Sequence, residues 1–517
     1  MENCTVPSFN NIFHRLAPER IAFLLLLAVV VGFLWLPAYP PMVDVPQHAG
    51  QVGVLKSFLL GEERWRDQVT INYMTPYWIC YGSWLFASLF FPVSIAFKVV
   101  LTFFFLFFVG AFIKMRREFM APAMLDWIFV PSFFGFAYDW GFVTFLFAVP
   151  VGVVFFLLNK RWQETQASKW GWAVLCAGVA MYFSHLLVFL FFCFITPVYI
   201  ITSCRFKPAT VLRFIPPYLI FGILMAIYLL IPDALSFSNH AQSFYGWGSI
   251  YEHFTGLLVY PWGMNIKRPV AITLSVAVLL MPFFLGYRPK DKPDSYAVLL
   301  SLLVFWFLLP HSLNGTAFVF QRFSVFIFPF YVICFEKSAV KDDVNSKSTR
   351  RTGVALGMLV ILALLYRPLA NQWFFRIEAR EFASLLDDLP PHQRALTLVY
   401  SRSGRAVDNT FVYLHFPAWY QAEENGWVDF NFAWFSPQVI RYRLNRIPSI
   451  RPGFEWNPQY ISFIEDCKRY DLLFVRAASP PPADVFKNTP CPHIPYKAQG
   501  NWYVFRLPDS EESPKTQ

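Results

Sequence analysis

A chain of 517 residues that is 56% hydrophobic, 20% aromatic and only 15% charged, with a mean hydropathy of +0.42, carries too little charge for a soluble domain of its size. Its formal net charge of +10 does not point to a nucleic-acid partner, because Lys and Arg sit mainly in short loops between apolar runs, where they orient helices in a bilayer. The 60 Phe, in runs such as LTFFFLFFVG, spread the apolar signal over most of the chain and predict a polytopic membrane protein.

The first apolar run, IAFLLLLAVVVGFLWLPAYPP, follows Arg15 and Arg20 and lacks a small-x-small cleavage site, so it reads as an uncleaved transmembrane helix. Immediately after it comes VDVPQHAGQVGVLKSFLLG. Pro46 suits a first helical turn, and Val45, Ala49, Val52, Leu55 and Leu59 recur at helical spacing, which predicts a short amphipathic helix lying on the membrane. Asp44 stands at its entrance, as an N-cap or as a functional carboxylate, with His48 about one turn along.

Further apolar runs lie near 74–92, 93–113, 124–138, 141–158, 170–184, 186–203, 211–231, 269–287, 295–310, 318–336 and 352–366. Several are short for a perpendicular span of about 20 residues, which predicts tilted, broken or re-entrant helices. The basic loops at 114–119, 159–169, 204–213, 286–294 and 336–351 should all be cytoplasmic. A cytoplasmic N-terminus conflicts with this by one crossing if both 74–92 and 93–113 span, so either 74–113 crosses once with a re-entrant or interfacial piece or one basic loop breaks the rule; 11 to 13 transmembrane helices are expected.

From residue 367 the long apolar runs stop, and 367–517 holds 16 of the 33 Asp and Glu. Residues 1–366 thus read as a transmembrane domain with outer loops at 40–73 and 232–268, and 367–517 as a small extracytoplasmic α/β domain. The latter has a helix-like 376–391 and strand-like 394–400, 470–477 and 502–508. Cys80, Cys176, Cys193 and Cys334 are isolated in apolar segments, and no CxxC or Cys/His metal pattern occurs. Cys467 and Cys491 form a disulfide or remain two free thiols.

Under this orientation the ionisable residues near the spans gather at the outer boundary: Asp44, His48, Asp139 in GFAYDWGF, His185 in MYFSHLLVF, Lys267 and Arg268 in the 232–268 loop with Asp233, His240, Glu252 and His253, then His311 and Arg322 in LLPHSLNGTAFVFQRFSVF. Such a pattern implies a site at the membrane–water boundary rather than a charge relay through the bilayer. Trp140, Tyr245, Trp247, Tyr251, Tyr260 and Trp262 either stack on a ligand or form an interfacial belt. The aromatic- and acid-rich stretch 415–437 either stacks on a sugar at the cavity or packs as a loop core. A divalent metal, Mg or Mn, is compatible with the sequence but not demanded by any spacing.

A first helix followed at once by an outer loop with an acidic residue (Asp44), then many spans with AYDWGF and SHLLVF, a late QRFSVFIFPF and a soluble C-terminal domain resembles the GT-C superfamily of membrane glycosyltransferases, among them the protein O-mannosyltransferases and the lipid A aminoarabinose transferases. Where those relatives carry an Asp-Glu pair in the first loop, this chain has Asp44-Val45. The resemblance implies a sugar carried on a polyprenyl phosphate, a glycan, lipid or protein acceptor on the non-cytoplasmic face, and Asp44 as base or acceptor-orienting residue, assisted by His48, Asp139 or His185. It also implies Arg322 at the phosphate, with Lys267, Arg268 and His311 as further candidates. Alternatives from other classes are a transporter or flippase of a lipid-linked or polar solute, and a non-catalytic scaffold that binds a partner through its C-terminal domain.

Overall fold

The computed structural model describes residues 18–203, 212–230, 245–313, 316–338 and 344–507, except 406, 408–409, 436, 449–452, 454–456, 459–468 and 480–492. Asp233, His240, Cys467 and Cys491 lie outside the described residues. The chain is a multi-pass integral membrane protein. The expected spans divide into three kinds. Among the described residues, five helices are long and apolar enough to cross a bilayer: α1 (Pro18–Trp35), α4 (Val93–Glu118), α5 (Val143–Thr165), α7 (Leu186–Ser203) and the apolar part of α11 (Val344–Leu386). Three apolar helices are shorter: α8 (Ile215–Leu230), α9 (Arg268–Phe284) and α10 (Asp294–Leu308). The runs 74–92, 124–138 and 318–336 are short or broken, the first containing only α3 (Trp78–Ser88), about 16 Å long and so unable to cross. Within 74–113, α4 is the helix long and apolar enough to cross a bilayer. Between α5 and α7 stands α6 (Ser168–Ser184).

The helix foreseen after the first span is α2 (Val45–Leu59), but it is not amphipathic in its surroundings: 13 of its 15 residues are buried. One side meets α3 and α4, and the other meets α12 (Ala418–Glu423) of the C-terminal region. Glycine makes that second contact possible, since a Cβ on Gly53 would lie 2.8 Å from the Ala422 Cα. Gln51 closes the seam by accepting from the Ile440 N–H at 2.7 Å.

The 43-residue α11, about 65 Å long, runs without a break through residue 367 into the C-terminal region. There a five-stranded sheet has the order β5 (Ile494–Gln499), β6 (Trp502–Arg506), β4 (Leu472–Arg476), β1 (Arg394–Val399), β2 (Trp427–Val428). Strand β1 is parallel to β2 and β4, and β6 is antiparallel to β4 and β5. A separate strand, β3 (Ile440–Tyr442), pairs with residues Val69–Ile71 of the first loop. The first loop and the C-terminal region are thus one hydrogen-bonded unit.

The basic loops collect at one end of the helices. Lys160 pairs with Glu118, Arg213 donates to Gln166, Arg288 pairs with Glu336, and Lys290 donates to the Phe119 and Ile333 carbonyls. The first loop, the start of α5 and the start of α7 lie at the other end. An aromatic core ties the two together: Phe191 of α7 has the rings of Phe305, Phe323 and Phe326 at 5.2, 5.1 and 4.9 Å. Each such pair contributes about 0.5–1.5 kcal/mol beyond the area it buries.

Candidate active site

A cavity of about 180 Å³ opens where the first loop, the helix ends and the C-terminal region meet, and Asp44, His48, His185 and Arg322 all line it. Tyr77, Trp140, Phe142, Thr144 and Phe318 complete the membrane-side wall, and Phe432, Phe435, Pro437 and Gln438 cover it from the C-terminal region.

Asp44 occupies the position before α2, yet its side chain caps nothing. Its backbone is held instead by the turn 136–141, where the Trp140 carbonyl accepts from the Asp44 N–H at 2.8 Å. That approach requires glycine: Gly141 has φ +87°, and a Cβ there would sit 2.9 Å from the Asp44 nitrogen. The carboxylate is 8% exposed, and burial pushes its pKa up to about 8 against the pull of Arg322 and a hydrogen bond from Trp140.

His48 lies one turn along, with Nδ1 2.6 Å from the Tyr81 hydroxyl. That hydroxyl donates its single proton to Gln438 Oε1 at 2.8 Å, so His48 Nδ1 carries the proton and Nε2 is the basic nitrogen. Burial holds His48 down to about 3 and keeps the ring neutral. His185, at the junction of α6 and α7, has the opposite tautomer, because its Nδ1 accepts from the Leu187 N–H at 3.2 Å. Its ring packs against Tyr77 and Phe145.

Arg322 sits on a 3₁₀ turn, Gln321–Phe326, with its guanidinium 3.6 Å over the Phe142 ring. It donates to the carbonyls of Phe318 at 3.3 Å and Ala317 at 3.0 Å. These contacts use two of its five donors and hold the fork rigid against the cavity.

The other predicted residues stand elsewhere. Asp139 is not in the cavity wall. Its carboxylate receives Arg367 at 2.8 Å and the Met264 N–H at 2.9 Å, and its carbonyl accepts from the Val43 N–H, so it braces the turn that carries Asp44. His311 stands behind Arg322, 2.6 Å from Gln321 Nε2 and 3.7 Å from Glu252. Lys267 and Arg268 are exposed outside the cavity, Arg268 over the Tyr251 ring. Of the six outer aromatics only Trp140 reaches the wall. Among the described residues, no three His, Cys, Asp or Glu side chains converge as metal ligands.

His415 was not foreseen. It lies at the start of the aromatic stretch already noted, with Nε2 3.6 Å from Asp44 Oδ1. Phe432 and Phe435 come from the same stretch, whose composition was the available signal; nothing local singled out the histidine.

The chain is similar to ArnT from Cupriavidus metallidurans bound to undecaprenyl phosphate, with a TM-score of 0.55 and 12% identity over 97% of this chain and 100% of that one. The apo state of the same protein gives a TM-score of 0.51 at 12% identity over 96% and 99%. No protein-family model and no curated protein matches the sequence.

Proposed function

We propose that the protein is a glycosyltransferase that moves a sugar from a polyprenyl-phosphate carrier to a glycan, lipid or protein acceptor on the non-cytoplasmic face. The observation that carries this reading is the convergence of one carboxylate, Asp44, and one stacked arginine, Arg322, on an aromatic-walled cavity at the end of the helices opposite the basic loops. Positive loops favour the cytoplasm, which supports an outward-facing cavity and C-terminal domain. The undecaprenyl phosphate bound to ArnT supports the choice of carrier.

In the proposed step the acceptor oxygen attacks the anomeric carbon, and the bond from that carbon to the phosphate oxygen breaks. The phosphate leaves with the electron pair, and the acceptor proton passes to the Asp44 carboxylate. Phosphate needs no proton from the protein, and Arg322 offsets its developing charge. His185 Nε2–H supplies a neutral donor to the same space, and Phe432 and Trp140 offer faces for the sugar ring.

Deletion of the chain in its own host, followed by complementation with native, Asp44→Asn or Arg322→Ala forms expressed at equal levels, tests the reading in cells. Restoration of the glycoconjugate profile by the native form alone supports it. Equal restoration by both variants overturns it.

A further inference from the structure

Gln47 directly precedes the cavity-lining His48 on α2 and is 1% exposed. Its amide orientation is fixed by two backbone partners: Oε1 accepts from the Phe432 N–H at 3.0 Å, and Nε2 donates to the Phe430 carbonyl at 3.1 Å. The same Nε2 stands 3.3 Å from His415 Nδ1. An amide nitrogen only donates, so Nδ1 is the acceptor and the His415 proton resides on Nε2, the nitrogen that faces Asp44 Oδ1 at 3.6 Å.

We propose that His415 is a positioning residue for Asp44: its Nε2–H, held on that nitrogen by Gln47, faces the carboxylate from the C-terminal domain, favours its ionised form and keeps it aimed into the cavity. The inference deepens the transferase reading and rests on it for the meaning of the Asp44 charge. The membrane domain alone would then hold an incomplete site. Gln47 serves both halves, since it clamps the loop that brings Phe432 over the cavity and sets the tautomer of the histidine beside it.

Other groups also face Asp44. His48 stands on the same helix and is tied to Tyr81 of α3; Trp140 donates from its turn, and Arg322 faces it from the Gln321–Phe326 turn. All remain in a His415 variant, so a change in Asp44 titration on replacing His415 reports that residue.

The test is infrared titration of the Asp44 carboxyl in the purified full chain, its band assigned by subtraction of Asp44→Asn. His415→Leu removes the donor, whereas His415→Gln retains an N–H. The Leu variant should raise the Asp44 midpoint by about one pH unit, a tenfold change in proton affinity, and the Gln variant should return it toward the native value. An unchanged midpoint in the Leu variant, or an equal rise in both, overturns the proposal. If His415→Leu is not recovered folded, Gln47→Leu, which frees the ring to exchange tautomers, should raise the midpoint relative to His415→Gln, and no difference overturns it. Release of undecaprenyl phosphate from an undecaprenyl-phosphate-linked sugar by the native chain tests the parent reading separately. A shifted midpoint without release supports the role of His415 and sinks the transferase reading; release with an unshifted midpoint does the reverse.

Discussion

A side chain on Gly141 would collide with the backbone nitrogen of Asp44, 2.9 Å away. The Trp140 carbonyl can hold the Asp44 N–H only while that position stays bare, and at φ +87° a Cβ adds strain of about 1–2 kcal/mol. Gly141→Ala should therefore displace the carboxylate and lower turnover at least tenfold, with a fall in thermal midpoint of only a few degrees. Native turnover in a folded Gly141→Ala protein would show that the turn does not set the geometry of Asp44.

Burial raises the Asp44 pKa to about 8, so at lower pH the group is increasingly a neutral acid. A carboxylate acting as base must be ionised, and kcat/KM should rise with pH, about tenfold per unit, to a plateau above about pH 8. His48 and His415 are both held down to about 3, remain neutral over this range and add no second limb. A pH–rate profile already flat by pH 6 would contradict the assignment.

Arg322 combines charge with a planar fork held over Phe142. Arg322→Ala should cost about 10²- to 10³-fold in kcat, the usual effect of losing one donor to developing charge. Arg322→Lys keeps the charge but loses the stacked, bidentate geometry, and should recover no more than about a tenth of native activity. Full activity in the lysine variant would reduce Arg322 to a diffuse positive charge.

Lys267 and Arg268 are exposed beyond the cavity. Substitution of either by alanine should leave kcat/KM within about twofold of native, as expected for screened surface charge. A larger loss would place the phosphate nearer the 245–268 segment than to Arg322.

The Asp139–Arg367 pair, a buried carboxylate and a largely covered guanidinium 2.8 Å apart, links the Asp44 turn to α11. Arg367→Leu alone leaves a buried carboxylate without its cation and should destabilise the fold by about 3–5 kcal/mol; adding Asp139→Leu should recover part of that loss. Thermal unfolding of both variants measures the difference. Additive losses would show that the two side chains do not act as a pair.

Much of the candidate site was legible because its chemistry is unusual for its surroundings. Asp44, His48, His185 and Arg322 are polar residues at the ends of apolar runs, and each reaches the cavity. Asp139 carried the same signal but met Arg367, which lies 228 residues away and has nothing in sequence to mark it as a partner. The helix after Asp44 was legible from Pro46 and its apolar spacing. Its burial on both sides was not, because Gly50 and Gly53 accept α12 by lacking side chains, and an absence leaves no periodicity to read. The 318–336 run looked like a span by composition, whereas its 3₁₀ turn at Gln321–Phe326 is set by packing on Phe191 and Phe145. His415 escaped notice for a similar reason: its role depends on α2 and the C-terminal domain meeting across 368 residues of chain between it and Gln47.

Transfer of a sugar from a polyprenyl phosphate in this cavity, with Asp44 as the proton acceptor, is measured as release of undecaprenyl phosphate by the purified chain from undecaprenyl-phosphate-linked sugars, with a host glycoconjugate extract as acceptor, for the native and Asp44→Asn proteins side by side. Release should depend on the acceptor and fall by at least 10²-fold in the Asn variant. Equal release by the two proteins would contradict it.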